Sequence, residues 1–294
     1  MSKKGFFFEE SSFWYDAVKQ FRKNRLAIIG LSFLLFVAFF AVFGPLIVDS
    51  NPFQVNISQR LSPPSWNHLL GTDSLGRDIL IRIFYGARTS LIVSFLSVTI
   101  SLVVGTSLGA IAGFYGGAWD ELIMRFMDIL FAFPAMLLAM TIIAMIGQGT
   151  RGAIIAIGVV YTPIFARITR GGVLDVRQLD FIESARSIGA GQFRLILRHA
   201  LPNCMAPIIV ETTLSLGFAL LSESALSFLG LGTQPPNPSL GRMLSEGRMY
   251  ISDAPWLGLF PGLAILLVVL GFNLMGDGLR DVLDPKIKHE EIGR

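Results

Sequence analysis

Long apolar runs recur along this 294-residue chain and leave few folds open to it. Leu26–Val48, Leu91–Gly113, Ile129–Ile146 and Trp256–Met275 each approach or exceed the roughly 18 residues that a bilayer-crossing helix needs. In hydrocarbon no water is present to satisfy the backbone, so each run must satisfy its own N–H and C=O groups, which selects the α-helix. Two further runs are less clean: Gly152–Ala166 is short and carries Pro163, and Met205–Leu231 contains Glu211 and Glu223. Both are tolerated where neighbouring helices cover them. The expectation is an all-α, polytopic membrane protein with six transmembrane helices. Composition agrees, with 52% hydrophobic residues and only 15% charged, against the roughly one-quarter charged content of a soluble domain.

The basic residues set the orientation. With the N-terminus inside, 17 of the 24 Lys and Arg fall in inner segments, and every lysine lies in one of the two tails. Outer segments hold Arg60, Arg77, Arg82, Arg88, Arg151, Arg242 and Arg248. Both termini are therefore expected in the cytoplasm. The first run is too long for a signal-peptide core and no small-residue cleavage site follows it, so it reads as a retained helix. Before it, "SSFWYDAVKQFRKNR" places Trp14, Val18 and Phe21 at helical spacing opposite Lys and Arg, a pattern that suits a helix lying in the membrane surface. The segment Asp49–Arg88, with three prolines in "NPFQ" and "LSPPSWNHLLGTDSLGRD", reads as an ordered external loop.

Catalytic patterns are absent from the sequence, and no enzyme is expected. Cys204 is the single cysteine, which excludes an internal disulfide and a Cys-rich metal site. His68, His199 and His289 are scattered over both sides of the membrane, so no local two-His metal site forms. No Gly-Lys pair exists, so this chain has no P-loop with which to bind ATP. The basic residues do not gather on one face with interleaved aromatics, so nucleic acid is not an expected partner. Gly105, Gly109 and Gly113 form a smooth strip that reads as a helix-packing face. Glu211 and Glu223 stand 12 residues apart, about 18 Å along a helix, too far to act as a pair on one substrate. Each must face the bundle or a wet cavity. Glu223 either lines a pathway or makes a packing hydrogen bond, whereas Glu211 lies nearer the inner end, where a loop Arg is the expected partner.

The polar stretch "FIESARSIGAGQFRLILRHALPN", Phe181–Asn203, breaks the apolar pattern on the inner side. Phe181, Ala185 and Ile188 share one face of a short helix, with Glu183 and Arg186 on the other. Gly189 and Gly191 end it. A second helix, Gln192 to Ala200, sets Phe193, Leu197 and Ala200 opposite Arg194 and Arg198, until Pro202 stops it. Spacing alone fits two readings, a docking knob for a partner and an amphipathic helix resting on the membrane.

Glu183-Ser184-Ala185, with Gly189 six residues after the Glu and Leu201-Pro202-Asn203 beyond, resembles the E-A-A…G…L-P signature of ABC importer permeases, with Ser at the middle position. "GTDSLGRD" (Gly71–Asp78), "GARTSL" (Gly86–Leu91), "MDILFAFPAMLLA" (Met127–Ala139), "LSFLGLGTQPPNPSLG" (Leu226–Gly241) and "FNLMGDGLRDVLDPK" (Phe272–Lys286) are similar to the C-type subunit of dipeptide, oligopeptide, glutathione and nickel importers. The resemblance implies a type I permease bundle in a bacterial inner membrane. It divides the chain into a tail at 1–25, a first helix with its external loop at 26–87, a permease core at 88–277 with a coupling loop at 171–203, and a tail at 278–294. It further implies that Glu183, Ser184, Ala185, Arg186, Ser187, Ile188, Gly189 and Ala190 dock on a separate ATPase subunit, which supplies the ATP and Mg that this chain does not hold. A second, homologous permease would complete the pathway, for which Glu223 and Glu211 are the candidates in this chain. A periplasmic solute-binding protein would meet Asp49–Arg88 and Gln234–Pro255. A small peptide is the implied solute, with nickel as the alternative. A self-contained carrier or channel is the competing class, and it calls for inverted repeats or charged, discontinuous helices, neither of which stands out.

Overall fold

The computed structural model describes residues 20–22, 24–47 and 51–283. Most of the amphipathic segment expected before the first helix, and the tail after Leu283, lie outside the described residues. The elements are helices α1 (Arg25–Ile47), α2 (Ile79–Tyr115), α3 (Gly117–Ala132), α4 (Ala135–Ile146), α5 (Thr150–Arg177), α6 (Asp180–Ser187), α7 (Met205–Phe228), α8 (Leu240–Arg248) and α9 (Trp256–Leu283). Three short helical pieces run from Gln192 to Asn203 between α6 and α7. Among the described residues there is no strand.

Five helices are long and apolar enough to cross a membrane, and the α3–α4 pair makes a sixth crossing if its two arms count as one. The third expected span is therefore not a straight helix over Ile129–Ile146. Its arms meet at 97°. Phe133 is extended (φ −93°, ψ 139°) ahead of Pro134, as sterics before a proline favour, and Pro134 itself lacks the N–H that would continue the helix. Pro163 and Pro261, by contrast, stay inside α5 and α9. The difference follows packing. α5 buries a dozen residues along its length, whereas α3 buries only Met127 and α4 only Ala139 and Ile143, so neighbours keep α5 continuous and leave the α3–α4 junction free to bend.

α2 begins at Ile79, ten residues inside the expected external loop, and its 37 residues span about 55 Å. Arg82 and Arg88 interrupt the apolar run there, which hid the helix from a hydropathy reading. Asp78 caps it, its carboxylate accepting from the Ile81 N–H at 3.2 Å. The glycine strip packs as expected. A Cβ on Gly105 would lie 2.5 Å from the Thr162 carbonyl and one on Gly113 2.8 Å from that of Arg170, while one on Gly109 would strike the Ala166 carbonyl. α2 and α5 thus touch backbone to backbone, the close approach that small residues permit in lipid.

Candidate coupling loop and the buried clamps

Two arginines of α5 tie α3 to it just ahead of the polar stretch. Arg170 holds Asp120 with both Nε and Nη2, at 2.5 and 2.6 Å. Arg167 donates to Asp128 at 2.7 Å and lies 4.2 Å from the centre of the Phe131 ring. α6 then turns back over the end of the bundle, seated by Ile182 and Ala185, which are buried in one cluster with Val173 and Val176 of α5 and with Leu195 and Ile196. The inward face is therefore not the one the spacing suggested. Ala185 points inward, but Phe181 is exposed and Ile188 is 88% exposed.

The end of α6 is a Schellman motif. The Ala190 N–H donates to the Ala185 carbonyl at 3.1 Å and the Gly189 N–H to that of Arg186 at 3.0 Å, with Gly189 at φ +89°. A Cβ on Gly189 would meet nothing within 4 Å, so the glycine is required by its dihedral and not by space. Gly191, at φ −70°, is in a conformation open to any residue. Glu183, Ser184, Arg186, Ser187, Ile188 and Gly189 face outward, while Ala190 is half-buried. The sequence expected Pro202 to end the second helix. Instead the chain winds through a π-helical stretch, Leu195–Ala200, into Leu201–Asn203, and breaks at Cys204 (φ −111°, ψ 16°) before α7 starts. Cys204 is buried, its Cβ 2.6 Å from where a Cβ on Gly172 would fall. An open groove of about 520 Å³ lies beside this stretch, lined by Tyr115, Trp119, Phe193, Ile196, Leu197 and Leu201 among others.

The two α7 carboxylates sit differently. Glu223 is 0% exposed and accepts from Ser90 Oγ of α2 at 2.7 Å and from Ser227 Oγ at 2.6 Å. Ser90 Oγ also lies 3.4 Å from the Leu240 N–H, which brings α8 to the same point. Glu211 is half-buried and its partner is Ser215 Oγ, one turn on at 2.9 Å, not a loop arginine.

At the end of the bundle away from α6, three arginines surround two carboxylates. Asp73 accepts from Arg77 Nε at 2.6 Å and lies 3.4 Å from Arg82 Nε. Glu246 of α8 accepts from Arg82 Nη2 at 3.1 Å and from Arg242 Nε at 3.2 Å, with Arg77 Nη2 at 3.6 Å. Arg82 is only 2% exposed. These arginines, read from sequence as outer loop charges, instead lock the α1–α2 loop, α2 and α8 together. The available signal was local: Asp73 and Arg77 are four apart, and Arg82 is flanked by isoleucines on both sides.

The family model described as binding-protein-dependent transport system inner membrane component matches residues 105–289, and the N-terminal TM domain of oligopeptide transport permease C matches residues 12–64. The chain belongs to this family of transport permeases. Membership makes it a multi-pass inner-membrane protein of an ABC transport system, one that works with ATPase subunits and a solute-binding protein. The permease is 51% identical over 275 residues to the dipeptide transport system permease protein DppC of Alkalihalophilus pseudofirmus, covering 94% of this chain and 90% of that one. It is 45% identical over 282 residues to DppC of Haemophilus influenzae, covering 94% of each. Against the glutathione transport system permease protein GsiD of Escherichia coli the figure is 45% over 276 residues, 94% of this chain and 91% of that one. The inward-facing MetNI methionine ABC transporter matches with TM-score 0.54 at 19% identity, over 68% of this chain and 94% of that chain, a likeness of fold.

Proposed function

We propose that the permease moves a small peptide, a dipeptide, oligopeptide or glutathione, from a periplasmic binding protein into the cytoplasm. The observation that carries this reading is the similarity to DppC and GsiD along nearly the whole chain. Both termini and the Asp180–Asn203 stretch face the cytoplasm, supported by the Lys and Arg bias. There α6 docks on the ATPase through Glu183, Ser184, Arg186, Ser187, Ile188 and Gly189, with Ala185 and Ala190 seating it on the bundle. Its exposure, its firm seat and its fixed end support that role. ATP and Mg are held by the ATPase, and this chain carries no cofactor. A second, homologous permease completes the pathway, and ATP-driven closure of the ATPases moves the docked α6 and turns the bundle outward.

Of the two α7 carboxylates, Glu211 is the one that borders the pathway, since its single hydroxyl partner and partial exposure leave it open to a neighbour. Glu223, enclosed by hydroxyl donors, serves packing.

The test is a pull-down of the tagged chain carrying Ser184→Cys, with Cys204→Ser removing the one native thiol. Capture of a P-loop ATPase by the new thiol, and co-elution of a second permease chain, is the expected result. A chain that elutes alone and moves solute in vesicles without ATP overturns the reading.

A further inference from the structure

The α1–α2 loop ends in a bare tryptophan on a stiff support. Ser65 and His68 close a two-residue turn by exchanging backbone bonds, Ser65 N–H to His68 O at 2.9 Å and His68 N–H to Ser65 O at 3.1 Å, which puts Trp66 and Asn67 at its tip. Residues 63–67 are all exposed, and Trp66 is 96% exposed. The base is fixed from several sides. His68 Nδ1 meets Asp78 Oδ2 at 2.8 Å and its Nε2 meets Gln59 Oε1 at 3.1 Å. Thr72 Oγ1 donates to the Gln59 carbonyl, and the Leu61 N–H to that of Asp73. A large side chain held out on an ordered turn, almost free of the described residues of its own chain, is a contact residue for something outside it.

The level of the loop identifies that surface. Near the end of α1, Gly44 lies against Phe84 of α2, and the Phe40 and Phe84 rings stack at 5.4 Å, so α1 still exposes Val42 and Phe43 beside the first turns of α2. On the other side, Leu61 and Leu70 of the loop share a cluster with Leu257 and Trp256, and Trp256 Nε1 lies 3.4 Å from the Thr72 carbonyl. α9 exposes apolar side chains from Leu259 onward. Two spanning helices therefore put the loop at the hydrocarbon edge. Its chemistry suits that layer: from Asn51 to Thr72 there is no acidic residue and Arg60 is the single Lys or Arg, while Phe53, Val55, Ile57 and Leu69 are exposed. An indole, apolar with one N–H donor, is the side chain that concentrates where acyl chains give way to headgroups.

We propose that the Trp66–Asn67 tip is an interfacial anchor, inserted among phospholipid headgroups, that holds the α1–α2 loop in register with the bilayer. Through Asp73 and Arg77 the same loop reaches α8, so the anchor also sets the height of the arginine clamp.

The experiment places a spin label at Asn67→Cys in the full chain, in lipid nanodiscs, and measures its collisions with oxygen and with a water-soluble nickel chelate. The expected result is an oxygen-accessible, nickel-shielded label whose nickel access rises several-fold when Trp66→Ser is added. Water-like values with Trp66 present, unchanged in Trp66→Ser, overturn the proposal. So does a label that is water-like in nanodiscs and becomes shielded only when a solute-binding protein is added, which assigns the tip to a protein partner. A label-free check compares the unmodified chain with Trp66→Phe in lipid brominated near the headgroup: loss of a quenchable emission component supports the anchor, and identical quenching overturns it.

Discussion

Gly189 and Gly191 look alike in the sequence, yet only one is under constraint. Gly189 occupies the left-handed region, where a Cβ costs about 1 kcal/mol or somewhat more, and its own N–H is used in the cap of α6. Gly189→Ala should therefore loosen the end of α6 and lower uptake several-fold at unchanged expression, and Gly189→Pro should abolish it. Gly191→Ala, at φ −70°, should leave uptake unchanged. Parallel uptake assays in membrane vesicles separate the three, and equal loss in the two alanine variants would count against the Schellman end as the cause. The same contrast holds along the spanning helices. Gly109→Ala drives a Cβ into the Ala166 carbonyl and should lower stability by about 1–3 kcal/mol, while Gly171→Ala, with nothing within 4 Å, should be neutral. Thermal denaturation in detergent measures both. Glu223→Gln keeps a hydrogen-bonding partner for Ser90 and Ser227, whereas Glu223→Leu removes the acceptor that both O–H groups use. Uptake near the unaltered rate with Gln, and a lower melting temperature with Leu, are expected from a packing role; slow uptake by a stable Gln variant would return Glu223 to the pathway.

Among the elements, the α3–α4 pair shows what one proline decides when little else holds a helix. Pro134→Ala restores the missing N–H and releases Phe133 from its extended state, so the two arms should move toward a single straight helix. Spin labels at Leu122 and Met145, both exposed, should then move apart, and an unchanged distance would mean that packing, not Pro134, sets the bend. The loop before α2 poses the opposite case, an element fixed by charge. Glu246 stands against three guanidinium groups, and Glu246→Gln leaves Arg82 buried with Asp73 as its one carboxylate. A loss on the order of 2–3 kcal/mol is expected. Adding Arg242→Gln should recover part of it, because one excess positive charge is then removed; strictly additive losses in thermal unfolding would show that the clamp is not a coupled unit.

For the molecule as a whole, what the sequence by itself determined was that the chain lives in a membrane, as helices, and, for four of the six crossings, where each begins to within two residues. That information is local. A backbone in hydrocarbon must satisfy itself within its own segment, so an apolar run of sufficient length is enough to name a helix. The glycine strip of α2 was legible for the same reason, as was the Glu183–Ala190 segment, whose polar residues and glycine stand out against their surroundings. The tertiary structure alone decided which side of α6 is seated, because the stretch from Asp180 to Ile188 offers two apolar faces and only the position of Val173, Val176, Leu195 and Ile196 chooses Ile182 with Ala185 over Phe181 with Ile188. It alone brought Asp73, Arg82 and Glu246 together from positions up to 173 residues apart, and it enclosed Glu223 between two helices while leaving Glu211 partly open. Such meetings depend on how segments cross, and crossing is set by side chains of both partners at once, which no window of one segment contains.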